Sequence, residues 1–292
     1  PSSVKTIKHF ELLPRLNEII IPDSVTSIDS KAFAGCTFLE SITIPPSVRT
    51  ILVDTFVDCT NLKSITIDPY LTTFDKKTFK LNTSLRHLIF YNSVTHIGKV
   101  ENLSYFGKLK EITIPNSVVS IGATAFQGQK TLEKVNIPNS VVSIEYDAFK
   151  GCYSLKEVEI PNSVKYIAGG VFCDCGSLKK IKIPDSVVFL GSGCFGNCNE
   201  LEEVVLPNSI GTLEQDLFHK CTKLGKASQK KFVVPNSVSS IGGGVFTGCD
   251  TLEEIVIPDS VFSIGGGAFY ECKKLKKVTL PKSIPKIDKS TF

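Results

Sequence analysis

The chain has no methionine and no tryptophan, and only 4 of its 292 residues are histidine. It also lacks any apolar run near 18 residues, which excludes a membrane-spanning helix of the usual length, and no signal-peptide pattern is present. Charge of one sign is missing as well. Lys and Arg number 33 against 29 Asp and Glu, a formal net charge of +4. So mild a balance, without clustering, carries no nucleic-acid footprint. The four histidines, His9, His87, His96 and His219, are scattered without catalytic or ligand spacing.

What the chain does have is self-similarity, the first property to look for in a long sequence. Pro-Asx-Ser-Val, or a close relative, begins at Pro22, Pro115, Pro138, Pro161, Pro184, Pro235 and Pro258. Weaker copies begin at Pro1, Pro45, Asp68, Tyr91, Pro207 and Pro281, and most starts lie 23 residues apart. The exceptions are units of 21, 24 and 28 residues beginning at Pro1, Tyr91 and Pro207. This gives about twelve coils and a truncated thirteenth, read as one domain over residues 1–292.

Each column has a physical role. Before each proline runs Leu-x-x-Val-x-Ile, as in Leu132, Val135 and Ile137. The alternation marks a short strand with one buried face. Proline, having no N–H, ends the strand; Asx and Ser supply turn chemistry, the hydroxyls expected to cap the turn backbone. A second apolar pair follows, such as Val141 and Ile144, and then a small residue and Phe. The Phe column runs Phe33, Phe56, Phe79, Phe126, Phe149, Phe172, Phe195, Phe218, Phe246, Phe269 and Phe292.

Three residues after Phe, the slot is cysteine at Cys36, Cys59, Cys152, Cys175, Cys198, Cys221, Cys249 and Cys272. A disulfide framework or metal site would also use cysteines, but a shared column reads as small apolar side chains in a buried ladder. Cys194 falls in the small-residue column. Cys173 falls in a surface column and is expected to be a free thiol, with a bridge as the alternative. Neither the glycine triplets at 242–244 and 265–267 nor the serines form a phosphate loop or catalytic group. No catalytic, metal or cofactor residue is assigned. Of two glycosylation sequons, Asn102 looks exposed, whereas Asn82 falls in the buried Cys column.

The full pattern, written out from Ile257 to Cys272 as Ile-Pro-Asp-Ser-Val-Phe-Ser-Ile-Gly-Gly-Gly-Ala-Phe-Tyr-Glu-Cys, resembles the BspA-like leucine-rich repeat. That resemblance covers essentially the whole chain. It implies a right-handed leucine-rich-repeat solenoid, mostly strand and turn with little helix, its parallel strands on the concave face. It further implies a non-catalytic adhesion protein, extracellular or on the cell surface, binding host, matrix or cell-surface proteins.

Two other readings stay open. One is an intracellular protein-interaction scaffold, compatible with unpaired cysteines. The other is a self-assembling structural solenoid joined end to end through exposed strand edges. The chain begins and stops inside repeats without a polar cap, so we expect it to be part of a longer protein.

Partner contacts are expected on the outward row of the long strands, which includes Ser41, Thr43, Ser64, Thr66, His87, Glu111, Lys134, Glu157 and Lys180. Early coils carry hydroxyls there. Middle coils alternate in sign, which equally suits intramolecular pairing. Tyr91, replacing the turn proline, is expected to be exposed as an aromatic anchor. Lys223, Lys226 and Lys230 mark an inserted basic loop that suits an acidic partner, or a solvated insertion without a role.

Overall fold

The computed structural model describes all residues except 1–2, 9–12, 69–72, 75–77, 79–81, 83, 92–93, 99–108, 228–230, 283 and 285–286. Phe79, Asn102 and Lys230 therefore lie outside the described residues, as does His9. The chain divides into two compact units, Pro1–Val118 and Val119–Phe292.

In both units most coils contribute a short strand and a long one, paired in parallel; the first coil has only the short strand Thr6–Ile7 and a parallel bridge from Ile20 to Thr43. The first unit holds the long strands Ser41–Thr43, Ser64–Ile67, His87–Phe90 and Glu111–Thr113. Their registers put Ser41 beside Ser64 and Ser64 beside His87. In the second unit the long strands form three runs: Lys134–Asn136 with Glu157–Glu159, Lys180–Lys182 with Glu203–Val205, and Lys231–Val233 with Glu254–Val256 and Lys277–Thr279. The sole helix among the described residues is one 3-10 turn at Lys289–Thr291.

The proline turn closes through backbone. Val118 donates its N–H to the Pro115 carbonyl at 3.0 Å, and Val164 to Pro161 at 3.1 Å. At Ser186, Ser209 and Ser260 the hydroxyls do not cap their own turns, contrary to expectation; at Ser186 and Ser260 the backbone bond already closes the turn. Those of Ser186 and Ser260 instead donate to Val164 and Val238 carbonyls of the preceding coil, at 2.8 and 2.7 Å. The buried hydroxyls of Ser117, Ser140 and Ser163 have no partner among the described residues.

The third side of each coil is the Phe corner. Residues two before and two after Phe take left-handed backbone, as at Asp147 (φ 56°) and Gly151 (φ 72°) around Phe149. Asp, Asn and Gly dominate these positions because they tolerate that region best. The double twist lets alternate N–H groups point along the stack: Asp147, Phe149 and Gly151 donate to Gly169, Val171 and Cys173 of the next coil. Phe rings then stack in register. Phe149 and Phe172 lie 5.7 Å apart and 4° from parallel, and Phe172 and Phe195 lie 5.8 Å apart at 7°.

The cysteine column does more than fill space. Cys59, Cys175, Cys198 and Cys221 donate Sγ–H to the Phe33, Phe149, Phe172 and Phe195 carbonyls of the preceding coil, at 3.0 to 3.4 Å. Asn82, in the same column, makes the equivalent bond through Nδ2 to Phe56 at 3.0 Å. The column thus needs a small donor that survives burial, which explains why cysteine and amides share it. Asn82 is 8% exposed and engaged, so its sequon is closed to glycosylation in the folded chain.

Candidate functional site

The outward row of the long strands differs in character between the two units. In the first unit Ser41 and Thr43 are exposed, and Ser64 and Thr66 are half-exposed. Their hydroxyls make no protein hydrogen bond among the described residues. Beside them His87 is held by Thr113, Nε2 to Oγ1 at 2.7 Å, and Glu111 is its register partner.

Ser41 and Thr43 also line a pocket of about 480 Å³ with Glu18, Ile19, Ile20, Ile21, Pro22, Asp23 and Tyr91. Tyr91 is half-buried at this pocket, where free exposure was expected. Burial, and then the charge of Asp23, push its phenol above the ordinary value. Its backbone still closes the turn, since Val94 donates to the Tyr91 carbonyl at 3.2 Å. Glu18 and Ile20 were not singled out from sequence. Leu16-x-x-Ile19-x-Ile21 fits the strand pattern, however, and makes them outward positions of that coil.

In the second unit part of the outward row is paired within itself, and charged positions next to it pair as well. Lys180 meets Glu203 at 2.9 Å, which raises the lysine above its ordinary value. Lys223 meets Glu200 at 2.6 Å and Lys226 meets Glu202 at 3.2 Å. Lys223 accordingly holds the Glu200 carboxyl below the usual range. Glu254 is lowered likewise, by Lys277 at 3.1 Å and Lys231 at 3.4 Å. Exposed pairs of this kind add little to stability, because water and salt screen them. Lys134 and Glu157 are register partners without an ion pair.

The interruptions of this row coincide with grooves. One of about 660 Å³ is lined by Lys156, Glu157, Ser177, Lys179, Lys180, Glu200 and Glu202. The structure thus brings Glu157 and Lys180 together, with Lys223 and Lys226 bound to acids of the same groove. A second, of about 360 Å³, lies between Glu203–Val205 and Lys231–Val233, where the 28-residue unit adds its insertion. The repeat lengths foretold the second break and gave no sign of the first.

The thiols carry no visible chemistry. All ten cysteines are free. Burial pushes Cys152 and Cys194 up to about 12. Cys173 is half-buried with Sγ 3.6 Å from Asp174 Oδ2, and burial, then Asp174, take it to about 11. Since the thiolate is the reactive form, a disulfide-exchange reagent at neutral pH will label native protein slowly, and first at the half-buried Cys173 and Cys272. All ten thiols will react once the chain is unfolded. Rapid native labelling of a ladder cysteine such as Cys198, located by mass spectrometry, would contradict the buried ladder.

Corners, thiol ladder and paired strands define a parallel-strand repeat solenoid of about 11 turns with almost no helix. The BspA type Leucine rich repeat region, in six copies, matches residues 5–104, 100–225 and 224–292. The chain belongs to the BspA-type leucine-rich repeat family.

Among solved structures, it is similar to the leucine-rich repeat protein of T. pallidum, at 30% identity and TM-score 0.54, over 62% of this chain and 82% of that one. A leucine-rich repeat protein from Eubacterium ventriosum shares the fold at 23% identity and TM-score 0.52, over 92% and 80%. A leucine-rich cell surface protein from Faecalibacterium prausnitzii gives 27% identity and TM-score 0.47, over 94% and 83%. No curated protein matches significantly. The fold is typically a non-catalytic scaffold, and its family is commonly one of protein interaction and adhesion.

Proposed function

We propose that this chain is a non-catalytic protein-binding module of a cell-surface or secreted adhesion protein, and that partners dock on the outward row of its long strands. The observation that carries this reading is the unpartnered hydroxyl row Ser41, Thr43, Ser64 and Thr66, set on a rigid ladder beside a pocket. Hydrogen-bonding groups left to water on a preorganised surface lose little conformational entropy when a partner replaces that water. Family membership supports the surface location and the protein partner.

The test is a binding screen of the intact chain against extracellular-matrix and cell-surface proteins. Saturable binding to at least one is expected, and its absence across the set counts against the adhesion role. An intracellular scaffold is the second reading, favoured by ten unbridged cysteines. Protease treatment of intact source cells separates the two, since only a surface protein is removed.

A further inference from the structure

The pocket over the first long strands is unlike the groove lined by Lys156 and Glu202 in one respect: among the described residues its lining carries acids and no base. Glu18 and Asp23 are both exposed, and neither forms an ion pair among the described residues. No lysine or arginine is among the described residues that line the pocket. In the groove of about 660 Å³, by contrast, Glu200 and Glu202 are neutralised by Lys223 and Lys226. Ser41 and Thr43 add two hydroxyl oxygens that accept hydrogen bonds. Tyr91 supplies an aromatic ring at the rim. Ile20, 85% exposed, supplies an apolar surface for a long side-chain stem.

We infer that this pocket receives a basic side chain, arginine or lysine, of a partner protein. The inference rests on the ladder-face reading above and names the chemistry of one contact within it. Carboxylates and hydroxyls are the acceptors that a guanidinium or ammonium donates to, and an aromatic neighbour adds attraction for the cation. The stem of either residue buries along apolar surface while its head stays polar. Because the chain as a whole carries +4, its net field does not draw in a basic ligand. Such binding therefore has to come from local complementarity.

The experiment follows fluorescence anisotropy of a labelled alternating glycine–arginine peptide on the intact chain, at about 50 mM salt so that screening is weak. The control peptide carries citrulline, which keeps the shape of arginine and removes its charge. Binding of the arginine peptide should exceed that of the citrulline peptide by about tenfold or more, as expected for a charge-assisted contact. The double variant Glu18→Gln, Asp23→Asn should lose about the same factor. Both side chains are exposed, so folding is unaffected, and an unchanged circular-dichroism melt verifies that. Tyr91→Leu should weaken binding severalfold while Tyr91→Phe leaves it nearly unchanged, and Glu271→Gln, at an exposed Phe corner of the second unit, should have no effect.

Equal binding of the two peptides, or full binding by the double carboxylate variant, overturns the inference. So does capture of an uncharged oligosaccharide that is indifferent to both carboxylate substitutions. Failure of the wider reading looks different. A protein partner lost on Ser64→Arg but kept by Glu18→Gln, Asp23→Asn leaves the ladder face standing and removes only the basic-side-chain contact.

Discussion

Replacing Phe172 by alanine will lower the stability of the second unit by about 3–5 kcal/mol, the cost of emptying a fully buried aromatic site. The ring is 0% exposed and stacks on Phe149 and Phe195 together. Its loss removes two aromatic contacts and leaves a void that neighbouring coils cannot collapse into without breaking their register. Each coil is held only by its neighbours, so the defect divides the stack. Thermal unfolding should fall on the order of 10 °C and broaden or split, because two-state behaviour is not guaranteed in a repeat array. A sharp melt at the wild-type temperature would show that the Phe column is not the spine of the fold.

The second large effect is expected at Gly191. An added Cβ there would lie 2.3 Å from the Gly169 nitrogen and 2.6 Å from the Ala168 carbonyl carbon. Both are backbone atoms of the adjacent coil, and neither can swing aside. Gly191→Ala should therefore cost about 3 kcal/mol, the upper part of the range for forcing an atom into packed surroundings. Gly193 provides the contrast. Its φ is +60°, yet a Cβ there meets nothing within 4 Å. Gly193→Ala should cost only about 1 kcal/mol, the backbone penalty alone. Chemical denaturation of both variants checks the order; equal costs would mean that coil separation at Gly191 relaxes freely.

These two positions also show how much of the fold was legible. The Phe column was readable because a core position in a repeat must present the same side chain to the same neighbours in every coil. Gly191 was not singled out from the sequence. The constraint is the approach of the Gly169 backbone, and a sequence column gives no distance between chains. The cysteine column was read correctly as buried except at Cys272, which is half-buried, and incompletely as apolar. That its thiols donate to Phe carbonyls depends on where a carbonyl points, although the appearance of Asn82 in that column was a usable hint of a donor.

The candidate site was legible in part. Alternation within Leu-x-x-Val-x-Ile selects the outward residues, and Ser41, Thr43, Glu157 and Lys180 were found that way. Their grouping was not legible, because pockets arise from irregularities between coils. Tyr91 meets Asp23 and Thr43 at one pocket although Asp23 and Tyr91 are three repeat starts apart, and the first break of the charged row falls between two units of regular length. Lys223 and Lys226 read as a basic loop from sequence. Seeing them bound to Glu200 and Glu202 required the strand register.

The central claim is that partners use the outward row of the long strands. Arginine placed at Ser64 and at Thr66 projects bulk from that row without touching the core, whereas arginine at Val142, 42% exposed just before the short strand Ser143–Ile144, tests a different side of the coil. With any protein partner found in the screen, affinity measured by biolayer interferometry should fall about tenfold or more for the two ladder variants, the loss expected when a central contact is blocked. It should be unchanged for Val142→Arg. Undiminished binding by both ladder variants, with loss at Val142→Arg, would contradict the account.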